Sequence, residues 1–251
     1  MSASVAVASV DDIARAARAF HAEVRRRGSY RIVLTNNIAS KRSMSDAAGN
    51  SLSQSVFRPT PDEGYRRRPA RFGAILPLAQ AARYESVPFW VNAAGIHSVH
   101  PNPQLSQIDL AAFAGGAFAR SAIVVPVHLP FGQIGIGVFA PMDRRCADMS
   151  EAFARDADAL TILTRRFIAT YTLVTRRRHW LPGDCDLTAR EIACLRGAAT
   201  GKTDREIADR IGRSHATVRF HMHNAWAKLD AVTRTQAAFK AGQLGFIGEV
   251  G

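Results

Sequence analysis

Between residues 187 and 230 the chain starts three helices at fixed points, and the starts are written in side-chain chemistry. Thr188 is followed three residues later by Glu191, and Thr203 by Glu206. A hydroxyl at a helix N-cap accepts from the backbone N–H three residues on. The glutamate reaches back to the cap's own N–H, so two otherwise orphaned donors are satisfied. Ser214 supplies a third cap, and Gly201 and Gly212 supply stops. The pattern predicts helices running from Thr188 to Ala199, from Thr203 to Ile211 and from Ser214 to about Leu229, with a fourth from Thr235 to Leu244. Ile192 and Leu195 face inward from the first, Ile207, Ala208 and Ile211 from the second, and Ala238 and Leu244 from the fourth. Val218, Met222, Ala225 and Leu229 form the buried stripe of the third. A scaffold helix, a tight turn at Gly212-Arg213 and a second helix make a helix-turn-helix.

If that stripe is buried, the opposite face of the third helix shows Ala216, Arg219, Phe220 and His223. These lie in its amino-terminal half, the part of a recognition helix that enters the major groove. Arg219 can donate twice to a guanine edge, Phe220 can pack on a thymine methyl, and His223 can donate to a base or a phosphate. Lys202, Thr217, Asn224 and Lys228 are the candidates for phosphate contact, which positions the helix without reading sequence. No acid stands between Ser214 and Leu229. The helices alone fit a small bundle of other purpose equally well.

The residues also carry a resemblance. LTAREIACLRGAATGKTDREIADRIGRSHATVRFHMHNAWAKLDAVTRTQAAFKAGQLGFI, spanning Leu187 to Ile247, resembles the DNA-binding domain of LuxR-family transcription regulators. LTxRE, GKTxxEIA, SxxTVxxHxxNAxxKL and RxQA occur in order. The resemblance implies an all-α, four-helix helix-turn-helix domain. Its third helix reads DNA at Arg219, Phe220 and His223, and its fourth often pairs two subunits on a palindromic site.

The rest of the chain is mixed. Residues 11–27 read as a helix with the stripe Ile13, Ala17, Phe20, Val24, begun by two aspartates and ended by three arginines and Gly28. Strands are expected over residues 30–35 and 88–92, a short helix over 78–85, and a small-residue helix over 105–120. Ala122–His128 and Gln133–Ala140 form a hairpin around Leu129-Pro130-Phe131-Gly132. A helix over residues 150–176 has Phe153, Leu160, Phe167 and Val174 every seven residues, with Ala157, Thr164 and Tyr171 beside them. That stripe suits a core or a dimer seam. Residues 36–74 give the weakest signal. Residues 177–186, with Pro and Gly beside charge, read as a linker. The organisation is therefore a sensor domain over 1–176, that linker, and the helical domain over 187–251.

RSAIVVPVHLPFGQIGIGVFA, ILPLAQAARYESVPFW and the long helix resemble the ligand-binding domain of quorum-sensing LuxR regulators. That resemblance implies an α/β/α sandwich with an antiparallel sheet walling a pocket for an acyl-homoserine lactone. The departures are specific. Leu76 stands in place of the carboxylate that receives the lactone amide, Val138 in place of a hydroxyl, and Glu63 and Arg67 near the family's Trp and Tyr. An unpaired buried polar group costs about 1–3 kcal/mol, so a small apolar signal of another kind, or no ligand, is expected. Tyr65, Leu76, Phe89, Trp90, Phe118, Val125, Ile136 and Val138 are the candidate walls, with plain core packing as the alternative for each. A phosphoacceptor receiver does not fit. Lys41 is the sole lysine before Lys202, and Asp46 lies in SMSDAAGN, which is no strand end.

Composition narrows the classes further. The net charge is +12, and four of the 33 cations are lysine. From Gly183 onward ten cations face eight anions, so the excess lies upstream, partly in Arg25–Arg27, Arg66–Arg68 and Arg176–Arg178. This permits DNA binding without locating it. No run of about 18 apolar residues or cationic leader occurs, so neither a membrane span nor secretion is expected. Cys146, Cys185 and Cys194 without a CxxC pair suit a reducing cytoplasm. His97-Ser98-Val99-His100 and His221-Met222-His223 lack the companions of a zinc site, and GQIGIG is followed by no helix to cradle phosphate. No metal or cofactor is expected. An enzyme within residues 1–176 is the rival class. The partners expected are promoter DNA carrying an inverted repeat and a second copy of the chain.

Overall fold

The computed structural model describes residues 4–40, 42–57, 72–114, 119–176 and 186–248. The chain folds as two compact units, one formed by the described residues of 4–129 and 133–176 and one by 130–132 and 186–248. The linker segment 177–185, Glu63, Tyr65, Arg67 and Phe118 lie outside the described residues.

The first unit runs α1 (Ile13–Arg27), β1 (Tyr30–Thr35), α2 (Leu52–Ser55), α3 (Phe72–Tyr84), β2 (Phe89–Asn92), β3 (Gly95–Ser98), α4 (Ala111–Ala114), β4 (Ser121–His128), β5 (Ile134–Pro141) and α5 (Ser150–Thr175). The strands form one antiparallel sheet in the order β1-β5-β4-β2-β3. Ile123, Val125, Val127 and Phe139 pack against α1 and α5 on one face. Ala122, Val124, Ile136, Val138 and Ala140 pack on the other against α3, Phe113 of α4 and Leu105. Helices therefore cover both faces, as an α/β/α sandwich requires. Pro126 is tolerated inside β4 because β2 pairs no further along that strand than Val124, so its missing N–H costs no ladder bond on that side. Gly135 and Gly137 of β5 let α5 approach. A Cβ on Gly137 would stand 2.7 Å from Thr164 Cγ2, and one on Gly135 2.9 Å from Ile168 Cγ2.

Several expectations are corrected here. Among the described residues, the helix expected over 105–120 is divided into a 3-10 turn at Leu105–Gln107 and the helical segment α4, because Asp109 Oδ1 accepts from Ala111 N at 2.8 Å and starts a new helix; residues 115–118 lie outside the described residues. The helix expected at residue 78 begins at Phe72, with Pro77 inside it. Strand β3 was not anticipated. It pairs with β2 across the four-residue register Phe89↔Ser98 to Asn92↔Gly95. The seven-residue stripe of α5 packs in the core, which is one of the two readings its spacing allows. Leu160, Thr164, Phe167 and Tyr171 are buried, and Phe153 and Val174 pack at its margin. Tyr30 ties that helix to β1, donating to Asp156 Oδ2 at 2.6 Å.

The second unit is α6 (Ala189–Ala199), α7 (Asp204–Ile211), α8 (His215–Lys228) and α9 (Arg234–Gln243) around one apolar cluster. Leu195, Ile207, Ala208, Val218, Met222, Ala225 and Leu229 are buried as expected, with Ile192 and Ile211 packed at the edge. In α9 the buried pair is Ala237 and Ala241. Ala238 is half-buried, so the inward face is turned by one residue from the expected one. Gly197 permits the α6–α7 contact, since a Cβ there would lie 2.5 Å from Ile207 Cγ1.

Candidate nucleic-acid interface

The helix-turn-helix is positioned by its caps. Thr188 N donates to Glu191 Oε2 at 2.8 Å, and Glu191 N donates to Thr188 Oγ1 at 3.3 Å. Thr203 N donates to Glu206 Oε2 at 2.6 Å, and Glu206 N to Thr203 Oγ1 at 3.3 Å. Gly212 closes α7 at φ 62°, the left-handed conformation that glycine adopts freely. Ser214 then caps α8 by accepting from Thr217 N at 3.2 Å. A tight turn with a defined exit angle follows from these contacts, and it sets which face of α8 is presented.

That face is the expected one. Val218, Met222 and Ala225 are buried, while Ala216, Arg219, Phe220 and His223 are exposed. Phe220 is 62% exposed, a large aromatic surface held in water at mid-helix. Arg219 makes no ion pair or hydrogen bond among the described residues, so its guanidinium is available. Arg213 and His215, at the same end, are exposed as well. Both lie at the turn and the first residue of α8, outside the face opposite the buried stripe that the sequence pattern marks.

The phosphate candidates fare differently. Lys202 and Asn224 are half-buried at the surface. The Thr217 hydroxyl lies 2.9 Å from Ser214 Oγ, within the cap. Lys228 is engaged within the protein. Its ammonium donates to Glu191 Oε2 at 2.8 Å and to Asp186 O at 2.9 Å, which joins the end of α8 to the start of α6. Burial pushes the Glu191 carboxyl up, but the bonds from Lys228 and Thr188 outweigh it and hold the group below the usual glutamate range. Arg234, the arginine of RxQA, clamps α9 to α7 through Asp204 Oδ1 and Lys202 O.

In the amino-terminal unit the candidate pocket residues do not converge. Phe89, Ile136 and Val138 share one sheet face, whereas Val125 and Trp90 pack on the other. Leu76 is 63% exposed. Trp90 stacks on His97 with ring centroids 3.9 Å apart, and His97 Nε2 lies 3.2 Å from Asn92 Oδ1. Phe113, Leu105 and Val124, which sequence reasoning did not name, complete the cluster around Val138. Among the described residues no group of three or more His, Cys, Asp or Glu side chains could hold a metal.

Residues 186–241 match the family described as bacterial regulatory proteins, luxR family. The chain is 34% identical over 128 residues to the transcriptional activator protein VanR of Vibrio anguillarum, covering 51% of this chain and 52% of VanR. It is 48% identical over 61 residues to the HTH-type quorum sensing-dependent transcriptional regulator VjbR of Brucella abortus, covering 24% of each. The chain thus spans about half the length of VanR and a quarter of VjbR. Among solved structures, Escherichia coli SdiA aligns over 73% of this chain and 94% of its own, at 19% identity and a TM-score of 0.35.

Proposed function

We propose, from a carboxy-terminal unit that belongs to the luxR family of bacterial regulatory proteins, that this chain is a transcription regulator binding promoter DNA through α8. The observation that carries the reading is the outer face of that helix. Arg219, Phe220 and His223 stand exposed together on an element whose start is fixed by the Ser214 cap and whose length contains no acid. Backbone phosphates repel carboxylates, and base edges are read by donors and apolar groups in the amino-terminal half of such a helix. Lys202 and Asn224, together with the N-terminal end of α8 at Thr217, are the proposed phosphate contacts.

The amino-terminal unit senses a small apolar signal or acts without a ligand, and the chain is not an enzyme. Two copies bind an inverted repeat. Val232 at 81% exposure and Phe239 at 64%, flanking and within α9, support an association surface there. Among the described residues no helix is long and apolar enough to cross a membrane, and we place the protein in the cytoplasm. Genomic mapping of binding sites followed by footprinting tests the reading. The expected result is protection of two half-sites about 34–36 Å apart centre to centre, with affinity falling steeply as salt rises. Equal affinity for promoter and random DNA would refute it.

A further inference from the structure

Of the chain's eight histidines, His215, His221 and His223 fall within the fourteen residues of α8. His215 and His223 are exposed and each stands four residues from Arg219, so the three side chains form one row along the helix. Among the described residues, no ion pair or hydrogen bond engages His215 or His223. His221 is half-buried, its ring centroid 5.6 Å from that of Phe220. The permanent cations of α8 are Arg219 and Lys228, and Lys228 is held by Glu191 of α6. The elements packed on α8 bring no further histidine. Asp204 of α7 is paired with Arg234 of α9, and Lys240 of α9 donates to the carbonyls of Leu229 and Asp230. Arg190 and Arg196 lie on α6, Arg205, Glu206, Asp209 and Arg210 on α7, and Lys202 and Arg213 beside its ends. Burial pushes the Cys194 thiol of α6 above its ordinary range. Near neutral pH the charge on this surface is therefore adjusted at its imidazoles.

We propose that DNA binding takes up protons at His215 and His223, so that acidification tightens the grip of α8 on its site. From Gly183 onward ten cations face eight anions, so two added imidazolium charges double the positive excess of the unit that must meet a polyanion. In the free chain those charges would stand beside Arg219 and repel it. A run of phosphates along the row removes that repulsion and attracts all three groups. His215 is also the first residue of α8, at the end of a helix that favours an anion. Binding and protonation therefore support each other. An imidazole ordinarily titrates at about pH 6.5. A proton held more tightly in the complex than in the free chain adds affinity that is fully present below that pH and is lost as pH rises above it. The inference rests on the DNA-binding reading of α8 above and adds the condition that regulates it.

The test uses the full chain and two duplexes of equal length, one carrying the promoter site recovered by genomic mapping and one of random sequence. Affinity is measured at constant ionic strength from about pH 6 to about pH 8.5. The expected result is binding at least tenfold tighter at the acid end. The salt slope there should be steeper by up to roughly 1.8, from about 0.9 for each imidazolium set against a phosphate. Replacing both residues by Gln should bring the two affinities within about twofold of each other. Replacing both by Lys, which keeps its charge throughout, should abolish the pH response while holding the affinity high at the alkaline end. Both residues are exposed, and Gln and Lys are good helix formers, so α8 is retained. Calorimetry near pH 7 in two buffers of different ionisation enthalpy counts the protons taken up, with one to two expected. Equal affinity at both ends of the range overturns the proposal, as does zero proton uptake or a pH response that survives in the His215→Gln/His223→Gln chain. A chain that prefers the mapped site at every pH without a pH response loses this inference alone. One that prefers it at no pH loses the DNA-binding reading as well.

Discussion

Arg219 and Lys228 lie nine residues apart on one helix and have opposite fates, which divides their expected phenotypes. Arg219 is exposed and makes no ion pair or hydrogen bond among the described residues, so its donors are available to a base edge. Arg219→Ala should cost about 1–3 kcal/mol on the cognate site and relax sequence choice at one base position. A shift assay over single-base variants of the site measures both, and equal losses on cognate and random DNA would remove Arg219 from base reading. Lys228 is engaged inside the protein, where it neutralises Glu191, a residue only 2% exposed. Lys228→Ala leaves that carboxylate short of a partner, at about 1–3 kcal/mol of stability. The salt slope of DNA binding should not change. Glu191 titrates below the ordinary glutamate value, so its contribution is fully present above about pH 4.3 and is lost as pH falls through its folded value. Without Lys228, the largest lowering contact is gone and that loss begins at a higher pH. Acid denaturation of the two chains, followed by circular dichroism, should show the midpoint moving up in the variant. A flattened salt slope with unchanged acid stability would return Lys228 to the phosphates.

At the scale of elements, what was legible in the sequence is what depends on near neighbours. Both capping boxes, the Ser214 cap, the Gly212 stop and the α8 stripe are decided within a few residues of one another, and they form as written. The faces of the sheet are not local. Strand β4 is buried from Ser121 to Val127 without interruption, so it has no alternation to say which side chain faces which layer. That is why the sequence pattern groups Val125 with Val138 although the two lie on opposite faces. The stripe at Phe153, Leu160, Phe167 and Val174 was visible, but its partner was not. The partner is set by β5, whose glycines let the helix settle onto the sheet. This contact predicts that Gly137→Ala, which places a Cβ 2.7 Å from Thr164 Cγ2, destabilises the amino-terminal unit by about 1–3 kcal/mol through overpacking. Thermal melting of the variant measures it. A neutral or stabilising result would mean α5 is free to move off the sheet.

For the whole molecule, the layer around Val138 bears on which signal the amino-terminal unit can answer. Val138, Ile136, Phe89, Phe113 and Val124 are fully enclosed by one another and by α3. Glu85, the buried carboxylate at the end of α3, is already occupied by the N–H groups of Ser86 and Val87 and by the Ser98 hydroxyl. An acyl-homoserine lactone brings an amide N–H and carbonyl oxygens, and each one buried without a partner costs about 1–3 kcal/mol. Two or three such losses weaken binding by a thousandfold or more. Ordinary acyl-homoserine lactones should therefore leave the protein's stability unchanged. A ligand at 100 times its dissociation constant adds about 2.7 kcal/mol, which raises the melting temperature by a few degrees in a chain of this size. Titrating short- and long-chain lactones in a thermal-shift assay should give no such rise, and promoter binding should not depend on them. A saturable rise at micromolar lactone would mean that the polar contacts come from residues 58–71, with Tyr65 the first side chain to replace. It would then make this chain a standard lactone receptor whose apolar layer opens to admit the acyl tail. A rise with apolar compounds that lack the amide would instead identify the Val138 layer as the sensing element, because burial of hydrocarbon is the one interaction its side chains offer.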